Sequence, residues 1–264
     1  MTAASVPLGE LRAYLDSYLR VHEIPDDANA LNGLQVENWG RVSHIVAAVD
    51  ASQATIDALD QTAGTGPALL LVHHGLFWDG NQPVTERRYR RLRALLAQDT
   101  AVYSAHIPLD VHPEVGNNAV LARRLGLSDG GPFGNHKGIL IGVAGTLSAA
   151  AISRELLCRR VAEVLGIQPE GIRLIPGGPE RPSRVGVITG GAGSAILQAR
   201  DAGCDTFITG EGAAHTYFDA MEWGVNVVYA GHYATETVGV RALAEHLASR
   251  FSVPWEFHDH PTGM

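Results

Sequence analysis

The sequence predicts an α/β protein made of two similar three-layer lobes with mainly parallel sheets. Short apolar runs alternate with longer amphipathic stretches, the pattern of strands joined by crossover helices. Glycine is frequent, at 30 of 264 residues, as many tight strand–helix turns require. A weak internal repeat relates the two halves of the chain.

Taken in order, the amphipathic stretch from Glu10 (ELRAYLDSYLRV) reads as a helix, and HIVAAVD from His44 as a strand. ASQATIDAL returns as a helix to the strand PALLLV from Pro67. TERRYRRLRALLAQ from Thr85 then leads to the strand TAVYSA from Thr100, and NNAVLARRLGL from Asn117 is the next helix. GILIGVAG from Gly138, RVGVIT from Arg184, DTFITG from Asp205, NVVYAG from Asn226 and VPWEF from Val253 are the later strands. Between them lie the helices SRELLCRRVAEVLG, GSAILQARDAG and GVRALAEHLASRF. IPGGPERPSR from Ile175 reads as a surface loop or lobe junction.

The repeat pairs RVSHIVAAVDASQATIDAL with RVGVITGGAGSAILQAR, each a strand, a small-residue turn and a helix. PALLLVHHG and DTFITGEG follow, and then AVYSAHIPLD matches VVYAGHYATE. His106 thereby falls opposite His232, and Asp110 opposite Glu236. The expected division is a first lobe over 1–127 carrying His73, His74, His106 and Asp110. The second lobe covers 128–264 and carries His232 and Glu236, its C-terminal segment free to pack back on the first lobe.

The formal net charge of −8 argues against attraction to nucleic acid or an anionic membrane. Cys158 and Cys204 are too few and too far apart for a disulfide framework or a thiolate zinc site, so a reducing compartment is the natural reading. The start MTAASVPLGELRAYLD lacks a basic region followed by an apolar run, against a secretory signal. The longest uncharged stretch, between Lys137 and Arg154, falls short of the roughly 20 apolar residues that span a bilayer. A soluble cytoplasmic protein is expected.

Ligands of open parallel sheets collect beyond the carboxyl ends of the strands. Three polar clusters sit there: His73-His74-Gly75, His106 to Asp110, and His232 to Glu236. Imidazole and carboxylate donors suit two divalent ions of Zn, Mn, Fe, Co or Ni, about 3.5–4 Å apart in the usual hydrolytic pair. Each cluster has a plainer reading. His73-His74 could cap a strand. His106 and Asp110 could be a local ion pair, in a turn because Pro108 between them disfavours a regular helix. His232 and Glu236 could be an exposed i,i+4 pair. Their joint occurrence at three strand ends, two of them repeat-related, favours the metal.

The motifs LLVHHGLFW, YSAHIPLD and GHYATE resemble the signatures of the Nif-three-like proteins, often called GTP cyclohydrolase 1 type 2 homologues. NGLQVEN from Asn32 and DTFITGEG from Asp205 match the same pattern, so the resemblance runs over nearly the whole chain, in order. It implies a two-lobed fold with a dinuclear metal centre between the lobes and a toroidal homohexamer. It also implies the ligands His73, His74, Asp110, His232 and Glu236, with no departure at those positions.

Three functions follow from this set. The first is a metal-dependent hydrolase of a small substrate, with GTP-cyclohydrolase-type ring opening as one member. In it Glu236, with Asp110 as a second candidate, bridges or orients the ions, and His106 or His215 carries protons. The second is a non-enzymatic metal-binding, metal-delivery or regulatory protein acting through partners. The third is a nucleotide sensor using TGGAGSA from Thr189, although that stretch lacks the full phosphate-loop pattern and reads first as a strand–helix turn. Asn32-Gly33 reads as a turn, with NGLQVE a candidate subunit contact. The helix bearing Arg87, Arg88, Arg90, Arg91 and Arg93 reads as a solvated basic face. Glu211 and His215 are candidates to support the ligands, and His258-Asp259-His260 looks like a clamp in too mobile a position.

Overall fold

A computed structural model describes residues 5–62, 66–147 and 152–264. Residues 1–4, and part of the uncharged stretch before Arg154, lie outside them. The chain forms two compact units. One comprises the residues up to Leu109 with Val240–His260, and the other Asp110–Gly239 with Pro261–Met264. Asp110 and the helix that follows it therefore belong to the second unit.

The first unit holds a five-stranded sheet in the order Trp255–Phe257, His44–Asp50, Ala68–His74, Thr100–Ser104, Gly33–Val36. Every neighbouring pair is parallel except the last. Its two long strands are buried along nearly their whole length, which is why HIVAAVD and ALLLV read as continuous apolar runs rather than alternating ones. Val46, Leu70, Val72 and Val102 of the sheet pack with Ile56 and Leu95 from the helices.

The second unit holds a six-stranded sheet in the order Leu127–His136, Ile139–Leu147, Arg184–Val187, Thr206–Thr209, Asn226–Tyr229, Arg173–Pro176. Three adjacent strands, 184–187, 206–209 and 226–229, are parallel, and the outer ones run antiparallel. Phe133, Ile188, Ile196, Phe207 and Val227 form its core. Strands 44–50, 68–74 and 100–104 of the first unit match 184–187, 206–209 and 226–229 of the second: three adjacent parallel strands with an antiparallel strand beside the third. The first unit adds a fourth parallel strand, 255–257, at the other edge, so the sequence repeat reappears as a repeat of topology.

The edge strand Leu127–His136 (LSDGGPFGNH) does not read as a strand in the sequence because Gly and Pro dilute it. It is tolerated at an edge, irregular between Ser128 and Gly131. Lys137 and Gly138, both at positive φ (51° and 89°), close its hairpin with Ile139–Leu147 in the tight two-residue turn that suits strand twist. Ile107–Asp110 is a single helical turn rather than an irregular one. Pro108 is tolerated there because it lies in the first turn, where no N–H partner is available anyway. The last long helix starts at His232, seven residues before the GVRALAEHLASRF pattern, and runs to Phe251. Its polar opening turns hide the apolar period that marks the rest.

Asn118, 1% exposed, ties the second unit together. Its amide donates to the carbonyls of Ile141 (2.8 Å) and Asp110 (3.3 Å), and its oxygen accepts from Thr189 N (2.7 Å) and Oγ1 (3.1 Å). Truncation takes this amide away from the Ile141 and Asp110 carbonyls and from Thr189 N, at a cost of about 1–3 kcal/mol. Asn118→Ala should therefore lower the urea midpoint of unfolding, and an unchanged midpoint would show that the bonds are dispensable.

Candidate metal centre

In the first unit the donors stand at the carboxyl ends of adjacent parallel strands. His73, fully buried, and His74 end the strand 68–74. Register places Asp50 beside His74, and the ring Nδ1 of His74 meets Asp50 Oδ1 at 2.9 Å. His73 Nδ1 donates to the carbonyl of Ala105 at 2.8 Å. His106 Nδ1 meets Asp26 Oδ1 at 2.9 Å. The His73 ring centroid is 4.7 Å from that of His74 and 4.9 Å from that of His106. One ligand atom from each of the three lies within 4.8 Å of the others.

A frame from the NGLQVEN segment holds this cluster. Asn32 Oδ1 accepts from His106 N (2.8 Å), and its amide donates to Asp26 Oδ2 (2.8 Å), which also accepts from Ile107 N (2.9 Å). Burial opposes ionisation of Asp26. The hydrogen bond and charge of His106, with Asn32 and Asp27 N–H, nevertheless hold its carboxyl down at about 2. Gln35 accepts from Leu76 N (2.8 Å) and donates to the carbonyls of Ala30 and Leu31, which fixes the chain just past the histidine pair. A Cβ at Gly75 would collide with the Gln35 side chain. Trp78 lies edge-on to His106 and His74, at 4.9 and 5.8 Å. Its loop is fastened by Arg88, which is buried and bonded to Asp79 and to the carbonyls of Gln82 and Gly80. Arg88 is thus not part of a solvated face.

In the second unit His232 opens its helix just past the strand 226–229. His232 Nδ1 meets Glu211 Oε1 at 2.7 Å, and Nε2 meets Glu236 Oε1 at 3.2 Å. Glu236 is 2% exposed, so this i,i+4 pair is no surface ornament. The Glu236 hydrogen bond is the main reason the imidazole pKa rises to about 9. Burial opposes the rise, and the charges of Glu236 and Glu211 add to it. Asp110, also buried, accepts from Asn117 (2.8 Å) and Thr189 (3.4 Å).

The TGGAGSA loop serves these carboxylates rather than a phosphate. The N–H groups of Gly190, Ala192 and Gly193 are already donated, to Thr235 Oγ1, Thr209 Oγ1 and the Glu211 carbonyl. Gly190 has a φ of 71°, and a Cβ there would strike Glu236 Oε1 and come within 3.4 Å of His232 Nε2. Only glycine fits.

The donor set suits divalent transition metals. Carbonyls and carboxylates can only accept, so the rings of His73, His74 and His106 carry a proton on Nδ1 and leave Nε2 as the atom that can present a lone pair. This is the tautomer found in metal-binding histidines backed by a carboxylate or carbonyl. His232 has a carboxylate against each nitrogen, so its Nε2 can ligate only after giving up the proton it shares with Glu236. Nitrogen and carboxylate oxygen, without thiolate, select Zn, Mn, Fe, Co or Ni over Ca or Mg.

Of the sequence candidates, His73, His74 and His106 come together in the first unit. His232, Glu236 and Glu211 come together in the second, where Asp110 sits in its own hydrogen-bonded pocket. His215 is exposed at the start of the helix 216–223. The rings of His258 and His260 lie 6.2 Å apart, and among the described residues they join no cluster of three donors. Asp26 and Asp50 escaped the sequence reading, and Asn32 and Gln35 entered it only within NGLQVEN, as a turn and a candidate subunit contact. Only Asp50 had a signal, as the last residue of a repeat-related strand.

Fold and donors together define a two-unit α/β protein with histidine–carboxylate sets at its strand ends. A family model for DUF34/NIF3 (NGG1p interacting factor 3) matches residues 6–262, and the chain belongs to that family. It is 46% identical over 257 residues to the GTP cyclohydrolase 1 type 2 homolog of Deinococcus radiodurans, covering 97% of this chain and 94% of that one. Among solved structures it resembles TTHA1606 of Thermus thermophilus (TM-score 0.85, 40% identity, 98% and 100% of the two chains). It is equally similar to protein ybgI, of unknown function (TM-score 0.85, 37% identity, the same coverage).

Two outcomes follow. In metal-free protein the His232 ring should titrate near 9 by NMR. Below the unfolded value of about 6.5 both states are protonated and the stabilisation is complete. As pH rises through 9 it is lost, so the stability difference between wild type and His232→Gln should shrink over that window. A ring titrating near the unfolded value would contradict the assignment. Separately, Asp50→Ala and Glu211→Ala should each weaken zinc binding about ten- to a hundredfold, with circular dichroism unchanged, because they release a ring rather than remove it.

Proposed function

We propose that the two donor sets meet at a cleft between the lobes and hold two divalent transition-metal ions on His73, His74, Asp110, His232 and Glu236. The protein is then a metal-dependent hydrolase of a small substrate, with a GTP-cyclohydrolase-type reaction the first to test. What carries this reading is the orientation of the histidine rings, each tethered through Nδ1 by an accepting oxygen. The repeat supports the pairing of His106–Asp110 with His232–Glu236, and family membership supports the ligand set. A cytoplasmic site of action belongs to the same proposal, supported by the free thiols of Cys158 and Cys204. No helix among the described residues is long and apolar enough to cross a membrane.

Ions of this class lower the pKa of bound water and polarise a carbonyl, imine or phosphoryl group. The chain's own residues do the rest. Asp50, Glu211 and the Ala105 carbonyl orient the rings. Glu236 and Asp110 bring carboxylate charge into buried surroundings that strengthen its attraction for a cation. His106, its Nδ1–H on Asp26, presents Nε2 to take or give a substrate proton, and ionised Asp26 faces the positive charge when it does. Trp78 walls the two rings from one side.

Elemental analysis of His73→Ala and His232→Ala should show loss of at least one ion relative to wild type. A panel of nucleotide, phosphoester and amide substrates should yield turnover that a chelator abolishes and a transition metal restores. Inactivity across that panel, with rapid metal transfer to acceptor proteins, would replace the hydrolase by the delivery function.

The resemblance to the family also favours a homohexameric ring. Light scattering should give the hexamer mass at micromolar concentration, and a monomer there would refute the ring.

A further inference from the structure

The second unit carries a cavity of about 550 Å³ that none of the metal donors lines. It lies between the helices Asn117–Leu125 and Arg154–Leu165. Arg124 comes from the first helix, and Arg159 and Arg160 from the second. The side chains of these three arginines make no ion pair or hydrogen bond among the described residues, although most of the protein's other arginines do. Arg12, Arg20, Arg41, Arg87, Arg88, Arg154 and Arg200 all have oxygen partners.

Glu163 also lines the cavity and stands four residues from Arg159, the spacing at which a helix ion pair normally closes. Among the described residues it makes no such pair. The result is three arginines, with Arg124 and Arg159 exposed, lining one open groove in a chain of net charge −8. Like charges gathered in this way repel unless an anion joins them. The remaining wall is apolar: Ile152, Leu156 and Val164 line it beside the arginines. Leu156 is 49% exposed.

We infer that this cavity binds a small organic anion, a phosphate monoester with an apolar body. The phosphate oxygens take the guanidinium forks of Arg159, Arg160 and Arg124, which match phosphate in planar, paired hydrogen bonds. The body of the molecule lies on Leu156 and its apolar neighbours. The volume is within the range of about 300–1,000 Å³ common for small-molecule sites. The plain alternative is three solvated arginines on a helical surface, which would hold any anion weakly and without regard to its body.

Calorimetry on the full-length, metal-loaded protein separates the two, with phenyl phosphate, inorganic phosphate and benzoate as probes. Wild type should bind phenyl phosphate at a site that Arg159→Ala/Arg160→Ala weakens at least tenfold, with metal content unchanged. The paired variant keeps any anion binding at the metal centre, because its donors are untouched, so the difference from wild type reads the arginine site alone. Phenyl phosphate should bind at least several-fold more tightly than inorganic phosphate, and Leu156→Ser should erase most of that gain. Benzoate should bind at least tenfold more weakly than phenyl phosphate. The inference is overturned if wild type and the paired variant bind phenyl phosphate alike. It is overturned equally if phenyl and inorganic phosphate bind alike, or if benzoate matches phenyl phosphate.

Discussion

Everything at the strand ends depends on one kind of hydrogen bond, the tether from a histidine Nδ1 to an accepting oxygen. An untethered imidazole has two tautomers and a free rotation about χ2, and a ligand set built from such rings must lose both freedoms on binding an ion. Here the Ala105 carbonyl, Asp50, Asp26 and Glu211 remove them in advance. The parallel sheet makes this straightforward. Its register sets Asp50 beside His74, and it delivers the Ala105 carbonyl to His73 from the adjoining strand end. The fold is in this sense a device for aligning acceptors with rings.

The two units reach the same end by different local means. In the first, the carboxylate behind the ring of His106 comes from a segment before the sheet, through Asp26 and Asn32. In the second, it comes from the turn after the neighbouring parallel strand, through Glu211. Glycine at 190 completes the second arrangement by giving Glu236 the volume that a side chain would occupy. The repeat is thus closer in strand order than in the residues that support the donors.

Much of this was legible in the sequence. The apolar runs that became the parallel strands are continuous and bounded by polar or small residues, and the donors lie just beyond them, so strands and clusters declared themselves together. What did not show obeys other rules. The edge strand Leu127–His136 is held by hairpin partners and tolerates Gly and Pro, so it lacks a strand's composition. Asp26, Asn32 and Gln35 act through hydrogen bonds to distant residues, and no spacing within their own segment announces that. The buried role of Arg88 is masked by its exposed neighbours, which give the helix the look of a uniform basic face. The helix beginning at His232 reads short in the sequence because its first turns serve the donors rather than the core.

The tether on His106 has a temporal side. Asp26 and His106 are 80 residues apart in the chain, and closing so long a loop costs entropy that only the surrounding sheet offsets. The ring is therefore aligned late, after the strands between the two residues have been laid side by side. A nascent or partly unfolded chain has all its histidines but not their orientation. The oriented set of rings therefore exists only once folding is complete, as a property of the finished architecture and not of the histidines in the chain.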